Sequence, residues 1–278
     1  MPLFRYFTPE RGLQALRDLE LVVVPPKYLN DPFEFSPKIK CEDPAGFARS
    51  RLEEITTSPD FFEENRSHFP AGLTFEQFQA ALRRTDPHGL HQLERGVSEV
   101  DQRIQNEAQD IISRSFGVIC FSGDALNPVM WAHYASSQSG LVIEFDEKHL
   151  LFSGRSFLKV EYSDEPLIFD ASVRGRRDDV GSFAKRKSLK WSYERESRLL
   201  IELSHLPTPR DTSNGLRYFL PIASQIITSV TLGLRVSDRL KAEVIQSLTP
   251  SNLEHVDLFQ INRNIEADML ERMLVGRA

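Results

Sequence analysis

The sequence predicts an α+β fold built around a mixed β-sheet. Strand-like apolar runs outnumber helix-like segments outside one helical region. The connections between these runs are irregular, unlike the regular strand–helix alternation of doubly wound proteins. The chain shows no internal repeat and no low-complexity segment. A sheet with helices in no fixed alternation is therefore the expected architecture.

Length and composition are those of an ordinary globular protein. The chain has 278 residues, of which 40% are hydrophobic and 27% charged, and its net charge is −6. We expect one α+β domain over residues 1–278, with a helical insertion at residues 43–115. The acidic balance argues against broad nonspecific nucleic-acid binding, although a local basic groove remains open.

Cysteine usage and hydropathy bear on the compartment. Cys41 and Cys120 lie far apart without metal-spaced partners, so we expect small buried side chains in a reducing environment. The N-terminal segment lacks the apolar core of a signal peptide, and no apolar run reaches the length of a membrane span. These features predict a cytoplasmic protein without a membrane partner.

Apolar pattern and capping residues define the N-terminal elements. Leu3 to Phe7 is predicted as the first strand. Thr8 as N-cap and Pro9 at the first helical position begin a helix that runs to Asp18. The stretch "LELVVVPP" is the second strand, which its prolines end.

Helical periodicity dominates residues 43–115. Thr74 and Gln77 have the spacing of a capping box at the start of "LTFEQFQAALRR". A second amphipathic helix is predicted for "EVDQRIQNEAQDIISRSFG". We interpret the region as an insertion between strands and not as a separate enzyme.

Strand patterns return after the insertion. Asn127 and Pro128 resemble the N-cap and first residue of a short helix, and "FAKRKSLKWSYE" is predicted as a basic helix. The other predicted elements are the strands "FGVICFS", "GLVIEFD", "FLKVEY", "SRLLIEL", "QIITSVTLGLRV" and "EHVDLFQINRN" and the helix "DRLKAEVIQSL".

Motifs of common cofactor and metal sites are absent. The sequence has no GxGxxG, P-loop, HExxH, GxSxG or CxxC. His88 and His91 alone approach metal-ligand spacing, and they fall in a predicted loop of the insertion. We expect neither a Rossmann cofactor nor a zinc site.

Four polar or aromatic clusters lie next to predicted strands. In the first, Arg5 and Tyr6 point to opposite faces of the first strand. A strand arginine faces either solvent or a cleft, where its planar guanidinium suits phosphate. The second cluster contains Asn30, Asp31 and Glu34 in "NDPFE". It fits a turn with an Asx hydrogen bond as well as a set of ligand-binding groups.

The third cluster begins where a predicted strand ends. Ser122 stands at the exit of that strand and can donate a hydrogen bond there. On the helix that follows, Met130, His133 and Tyr134 share one side, and Trp131 lies beside Tyr134. Such a set either packs into a core or offers a flat surface for a base or a nicotinamide ring.

The fourth cluster is the acidic doublet Glu194 and Glu196, with Arg198 two residues further on. On a strand all three point to one face, and the carboxylates lie about 6.5 Å apart along it. Like charges so close raise one pKa unless a cation relieves them. On a helix, Glu194 and Arg198 would instead form an ordinary ion pair. The leucine-rich continuation favours a strand from Arg198 onward, with the glutamates at its start.

Together these motifs resemble a widespread bacterial family catalogued as a domain of unknown function. The resemblance rests on Arg-Tyr at the start, "NDPFE", "CFS", "MWAHY" before a strand, and W-x-Y-E-x-E-x-R, and it covers nearly the whole chain outside the insertion. A more distant resemblance is to toxin-type ADP-ribosyltransferases. These enzymes present, in order, an arginine on the first strand, a serine after a later strand and Glu-x-Glu at the start of another.

The second resemblance implies a partly split sheet and an NAD site. Arg5, or Tyr6 in its place, would bind the NAD phosphates, and Ser122 would hold the nicotinamide-side ribose. Glu196 would bond the ribose 2′-hydroxyl and stabilise the oxocarbenium-like centre, while Glu194 would position or deprotonate the acceptor. The family's Ser-Thr-Ser is replaced here by Cys-Phe-Ser, which departs from the pattern.

Three functional hypotheses follow. The first is an NAD-dependent ADP-ribosyltransferase-like protein, a toxin or phage-defence effector, with NAD as substrate and a protein or nucleic-acid acceptor; Trp131 or Tyr134 would supply an aromatic ring beside the nicotinamide. The second is a magnesium-dependent nuclease or phosphodiesterase, with Lys187 or Lys190 supporting phosphate. Its metal ligands would be Asp31, Glu34, Glu194 and Glu196. The third is a noncatalytic binding module.

Overall fold

The computed structural model describes residues 2–36, 38–40, 42–84, 109–149, 156–170, 179–212, 215–249 and 252–277. The chain forms two compact units. The first comprises Met1–Phe35, Asp110–Glu165 and Asp179–Ala278, and the second comprises Ser36–Gln109 and Pro166–Asp178. The expectation of one domain with an insertion at residues 43–115 stays a prediction.

Strands and helices are numbered in chain order over the described residues. The strands are β1 (Leu3–Phe7), β2 (Glu20–Val23), β3 (Lys38–Lys40), β4 (Phe116–Ser122), β5 (Leu141–Phe145), β6 (Ser156–Lys159), β7 (Glu161–Tyr162), β8 (Ile168–Asp170), β9 (Arg186–Lys187), β10 (Glu196–Glu202), β11 (Tyr218–Pro221), β12 (Ile227–Leu232), β13 (Asp257–Asn264) and β14 (Met269–Arg277). The α-helices are α1 (Pro9–Asp18), α2 (Pro44–Thr57), α3 (Pro59–Glu64), α4 (Phe75–Arg83), α5 (Pro128–Tyr134), α6 (Asp179–Lys185) and α7 (Asp238–Leu248).

The first unit is built on an eight-stranded mixed sheet. Its strands follow the order β14-β13-β12-β5-β1-β4-β10-β6. Neighbouring strands are antiparallel, except that β12 and β13 run parallel. The first unit also contains the two-stranded pairs β2–β11 and β7–β9. The predicted α+β class with a mixed sheet is confirmed, and a likeness to the ADP-ribosyltransferase fold stays a prediction.

Apolar side chains bury both faces of β1. One face joins a large cluster that includes α1 and α7. On the other face, Phe4 and Tyr6 pack with Met130 and Trp131 of α5. Burying each large apolar side chain contributes about 1.5–3 kcal/mol, so β1 is fixed from two sides.

β1 and β4 separate soon after they meet. β1 pairs with β5 along its whole length, but its pairing with β4 is limited to Phe4 opposite Ser122. Further along β4, Val118 pairs with Val24, which follows β2. Side chains from β1, β2 and β4 can therefore reach the space that opens between β1 and β4.

The second unit contains helices α2, α3 and α4 and the parallel pair β3–β8. Its phenylalanine rings form a compact cluster, with centroid distances of 5.0–5.6 Å among neighbours. These rings are Phe62, Phe69, Phe75 and Phe78. None of the helices described in either unit is long and apolar enough to cross a bilayer.

Several predicted elements are confirmed in type and bounds. β1, α1, β4 and α7 have the predicted bounds. Thr74 and Gln77 make both hydrogen bonds of the capping box. The Asn127 side chain accepts from the first backbone N–H groups of α5. The second predicted helix of the insertion begins outside the described residues, and Cys41, His88 and His91 also lie outside them.

Two predicted elements are wrong. "FLKVEY" is divided at Val160, because β6 pairs with β10 whereas β7 pairs with β9. The predicted basic helix ends at Lys185, and β9 and a 3-10 helix over Leu189–Glu194 follow it. Buried ion pairing of Lys187, described below, overrides the helical pattern there. The pattern also gave no sign of β14, whose sequence lacks strand alternation.

A tight left-handed turn follows α5. Ser136, Ser137 and Gln138 have φ angles of 47°, 52° and 72°. The chain then passes so close to β1 that a Cβ at Gly140 would collide with the backbone oxygen of Phe7. This turn fixes the exit of α5, whose residues line the site described below.

We expect Gly140→Ala to lower the free energy of unfolding by about 1–3 kcal/mol, because backbone must move to admit the methyl group. Denaturant unfolding measures the change. Gly276→Ala is the matched control, since nothing lies within 4 Å of its added Cβ. Equal stability of the two variants would contradict the proposed close approach.

Candidate functional site

A cavity of about 480 Å³ lies in the first unit, where β1 and β4 separate. This volume is within the range of small-molecule sites. Most of the residues predicted from sequence line it: Arg5, Tyr6, Asn30, Glu34, Ser122, His133, Tyr134, Lys187, Glu194 and Glu196. Residues far apart in the chain thus meet around one concavity.

Lys187 lies among three glutamates at this cavity. Its Nζ is 3.1 Å from Glu34 Oε1, 2.5 Å from Glu194 Oε2 and 2.9 Å from Glu196 Oε2. All four side chains are buried. An ammonium group has three protons, so each glutamate can receive one.

Arg198 completes the cluster from a buried position that does not line the cavity. Its Nε donates to Glu196 Oε1 at 2.7 Å and its Nη2 to Glu196 Oε2 at 2.9 Å, the two-pronged geometry of a strong arginine–carboxylate pair. Nη2 also contacts Glu34, and Nη1 donates to the Ala184 carbonyl at 2.9 Å. Arg198 is 0% exposed. The ionic cluster is defined here as Glu34, Lys187, Glu194, Glu196 and Arg198.

The ionic cluster contains one more acid than base. Burial opposes ionisation of Glu196, but the Arg198 charge and hydrogen bonds outweigh it and lower the pKa of Glu196 to about 2. Burial raises the pKa of Glu34 and of Glu194 above the ordinary value, against the pull of the two cations. For Lys187, burial is outweighed by the glutamates, which raise its pKa. Glu34 and Glu194 are therefore the two carboxyl groups of the ionic cluster at which burial disfavours the charged form.

The end of β4 fixes the backbone around the acidic doublet. Arg195, with φ of 46°, ends the 3-10 helix in the left-handed region, and β10 begins at Glu196. Ser122, opposite Glu196 in the sheet, donates to the Glu194 carbonyl at 2.7 Å. Because the chain turns between them, Glu194 and Glu196 converge on one ammonium group instead of following one another along a strand.

Tyr134 connects α5 to the acidic doublet. Its hydroxyl donates to Glu194 Oε1 at 2.6 Å and accepts from Asn30 Nδ2 at 3.2 Å. Burial, together with the Glu194 charge, raises the pKa of Tyr134. Tyr134 therefore remains a hydrogen-bond donor at neutral pH.

The two glutamates of the doublet differ in free hydrogen-bonding capacity. Each carboxylate oxygen has two acceptor sites. Glu196 accepts from Arg198 through both oxygens, from Lys187 through Oε2, and from the Cys120 thiol. Within the described structure, Glu194 accepts one bond on each oxygen, from Tyr134 and from Lys187. Glu194 is consequently the better equipped to accept a hydrogen bond from a ligand.

Arginines form a second, basic part of the cavity lining. Arg5 Nη2 donates to the Val22 carbonyl at 3.1 Å, whereas Nη1 is buried with no hydrogen-bond partner in the described part of the chain. Burial lowers the pKa of Arg5 to about 10, so it stays charged at neutral pH. Arg11 and Arg217 also line the cavity. The cavity thus presents both anionic and cationic groups to a ligand.

Four predicted site residues, Lys190 among them, do not line the cavity. Trp131 is 0% exposed; its Nε1 donates to the Ala125 carbonyl at 2.8 Å, and its ring packs edge-on against Tyr6. Of the two aromatic residues proposed to flank a nicotinamide ring, Tyr134 is therefore the one at the cavity. Asp31 is buried and accepts from Phe33 N, the Asx turn that sequence also allowed. Arg198 lies behind the glutamates.

Several lining residues were not predicted. Arg11, Arg217 and Tyr28 were missed, and so was Cys120, whose thiol is buried beside Glu196. Arg11 lies in the first helix, directly after the strand that carries Arg5. Its closeness to Arg5 in the sequence is the one signal from which it could have been predicted. Arg217 reaches the cavity from a distant segment, and no local pattern marks it.

The geometry does not favour the magnesium-dependent alternative. Lys187 Nζ occupies the point on which Glu34, Glu194 and Glu196 converge. Asp31 is held in its turn, apart from this group. Over the described ranges, no group of three or more His, Cys, Asp and Glu side chains could hold a metal ion.

Arg198→Met removes one of the two buried cations of the ionic cluster. Glu34 and Glu196 both lose their ion pair with this arginine. We expect a loss of about 3–5 kcal/mol in the free energy of unfolding, measured with denaturant. Arg195→Met is the control, because the Arg195 side chain is 69% exposed and its ion pair is 3.7 Å long; it should cost less than about 1 kcal/mol. Comparable losses would refute a structural role for the cluster.

Glu194→Gln removes a carboxyl group whose pKa is raised by burial. A carboxyl whose pKa rises on folding binds its proton more tightly in the folded state, so stability falls as pH increases from the ordinary value of 4.5 through the raised pKa. Unfolding curves across this range should show a steeper fall in wild type than in Glu194→Gln. Glu202→Gln, at an exposed position at the end of β10, should follow wild type. Parallel curves for wild type and Glu194→Gln would contradict the raised pKa of Glu194.

Comparisons with known proteins bear on one segment of the site. No curated protein and no solved structure matches the chain. The segment that does match a family contains Tyr134, the cations Lys187 and Arg198, and the acidic doublet. The predicted relation to a domain of unknown function is confirmed over that segment, whereas its predicted extent over nearly the whole chain stays a prediction. Over residues 130–199, the chain matches the family described as "Protein of unknown function (DUF2971)".

Proposed function

We propose that the chain is an NAD-dependent ADP-ribosyltransferase-like enzyme whose substrate binds in the cavity between β1 and β4. The observation that carries the proposal is the double charge character of this cavity. Its acidic lining contains the carboxyl groups of Glu34, Glu194 and Glu196, and its basic lining includes Arg5, whose buried Nη1 has no hydrogen-bond partner among the described residues. NAD carries a cationic nicotinamide ring and an anionic diphosphate, which matches both.

The reaction needs positive charge to be stabilised at the ribose. The bond between ribose C1′ and the nicotinamide nitrogen breaks, and its electron pair leaves with nicotinamide, which becomes neutral. The oxocarbenium-like centre at C1′ then receives an electron pair from the acceptor, and the acceptor's proton is transferred to a carboxylate. Fixed negative charge in a water-poor site lowers the barrier to such a cation.

Glu194 is the carboxylate that we assign to the substrate. The resemblance to toxin-type enzymes gives the ribose contact to Glu196, but Glu196 is held by Arg198, Lys187 and Cys120. Glu194 has an unused acceptor site on each oxygen in the described structure. Glu196 then acts as a positioning residue that holds Lys187 and, through it, Glu194.

The neighbours of Glu194 support this assignment. Tyr134, itself bonded to Asn30, fixes one carboxylate oxygen, and Lys187 fixes the other. Ser122 bonds the Glu194 carbonyl, so its role here is to hold the backbone and not the ribose. A role as a toxin or phage-defence effector follows from the resemblance alone.

Incubation with NAD labelled in its ADP-ribose part, in the presence of cell protein, DNA and RNA, tests the proposal. We expect label transfer and nicotinamide release by wild type, and a loss of about 10²–10³-fold in rate for Glu194→Gln. NAD-dependent thermal stabilisation should persist in that variant, because Arg5 is intact. Glu202→Gln is the control for a glutamate outside the cavity and should transfer label at the wild-type rate.

Three negative results together would overturn the proposal: no label transfer, no nicotinamide release and no thermal stabilisation by NAD. In that case the site is better explained as a noncatalytic binding module. Equal activity of Glu194→Gln and wild type would instead overturn the assignment of Glu194 while leaving the reaction in place.

A further inference from the structure

An aromatic strip runs from the cavity onto the protein surface. It is defined by Tyr134, His133, Tyr193 and Trp191. Successive ring centroids are 6.2 Å, 6.4 Å and 6.1 Å apart. His133 is exposed and the other three rings are partly exposed. Tyr134 and His133 line the cavity, whereas Tyr193 and Trp191 lie beyond its lining.

Both ends of the aromatic strip contact the ionic cluster. Tyr134 donates to Glu194 at one end. At the other end the Trp191 ring lies 5.0 Å from Lys187 Nζ. A molecule lying on Tyr193 and Trp191, beyond the cavity lining, is therefore close to the ionic cluster and outside the space that the proposed function gives to NAD.

The segment that carries the strip is basic, in contrast to the whole chain. Residues 185–195 contain five lysines and arginines and one acid, Glu194, while the net charge of the chain is −6. Lys190 is exposed beside Trp191. The Arg195 side chain is 69% exposed and has only a 3.7 Å ion pair with Asp124. Two exposed cations, Lys190 and Arg195, thus flank Trp191 and Tyr193 in the sequence.

We propose that the aromatic strip binds single-stranded nucleic acid by stacking its bases, and that a base held there is the acceptor presented to Glu194. Partly exposed aromatic rings next to cations are the arrangement with which proteins hold single strands without strong sequence preference. The exposed cations Lys190 and Arg195 favour a polyanionic strand as the occupant of the strip. The acceptor part of the inference rests on the proposed function, whereas the binding part does not.

The chemical step balances with a base as acceptor. A nitrogen of the base supplies the electron pair that forms the new bond to ribose C1′, as the bond to nicotinamide breaks. The proton of that nitrogen passes to the Glu194 carboxylate and from there to water. No oxidant or metal ion takes part in this exchange.

Tryptophan fluorescence provides a direct test of binding, without NAD. The chain has two tryptophans, and Trp131 is completely buried, so stacking can quench Trp191 alone. The probes are oligothymidylate, a single-stranded DNA, and oligoadenylate, a single-stranded RNA. Titration with either should quench the Trp191 emission of wild type and of Glu194→Gln. Trp191→Phe should show no quenching but should still bind a labelled oligonucleotide in an anisotropy assay.

Matched variants separate stacking from charge. Trp191→Ala and Tyr193→Ala should each weaken oligonucleotide binding by roughly tenfold, with unchanged thermal unfolding as the check on folding. Lys190→Ala should reduce the salt dependence of binding by about one counterion. Lys148→Ala, an exposed lysine outside the basic segment, should bind as wild type does.

The outcomes distinguish this inference from the proposed function. Quenching of Trp191 without transfer of ADP-ribose supports the binding strip and counts against the transferase. Label transfer to protein, with no quenching by either oligonucleotide, overturns the strip and leaves the transferase. Quenching together with label on the oligonucleotide, lost in Glu194→Gln, supports both.

Discussion

The burial of Lys187 and Arg198 among three glutamates is the constraint on which the site depends. Charged groups removed from water are tolerated only when paired and hydrogen-bonded. Glu34, β9 and the start of β10 must therefore meet at fixed distances. The end of α6 at Lys185 and the left-handed Arg195 follow from this demand, because a continuous helix could not deliver Lys187 and both glutamates to one point.

Stability alone does not explain why such a cluster exists. Well-packed apolar residues often stabilise a fold as much as a buried ion pair of similar volume. A purely structural cluster would also gain from equal numbers of acids and bases. Here the acids are in excess, and Glu194, whose pKa is raised by burial, lines a cavity. Perturbed carboxyl groups in a cavity are typical of functional sites, since a ligand can supply the missing positive charge.

Local signals allowed much of the fold to be predicted, while the site depended on contacts that sequence does not encode locally. Pro9 and Asn127–Pro128 mark helix starts in the sequence, and both helices begin there, although the Thr8 side chain makes no capping hydrogen bond. Trp131 and Tyr134 show the limit of helical spacing. Spacing places them side by side but does not say which one faces the sheet, and Trp131 is the one packed on Tyr6.

The acidic doublet also shows what spacing in the sequence leaves undetermined. Its motif predicted that Glu194 and Glu196 act together, and both contact Lys187. The strand assumed for both would have set them along one face, each available to a ligand. Contacts in the folded chain decide otherwise: Arg198, two residues further on, and Lys187 occupy Glu196, whereas Glu194 accepts one bond on each oxygen in the described structure. Pairing capacity, which only the folded chain reveals, distinguishes the two residues.

The ionic cluster also links the cavity to the surface. Glu194 contacts Lys187 inside the cluster and Tyr134 at the start of the aromatic strip, while Trp191 lies over Lys187 at the far end of the strip. A substrate in the cavity and an acceptor on the strip would thus meet at the Glu194 carboxylate. Lys187 and Tyr134, and neither of the two bound molecules, fix its position. Transfer between two bound molecules requires their reacting atoms to be held close and aligned. Fixing Glu194 by buried charges meets that requirement before either molecule binds.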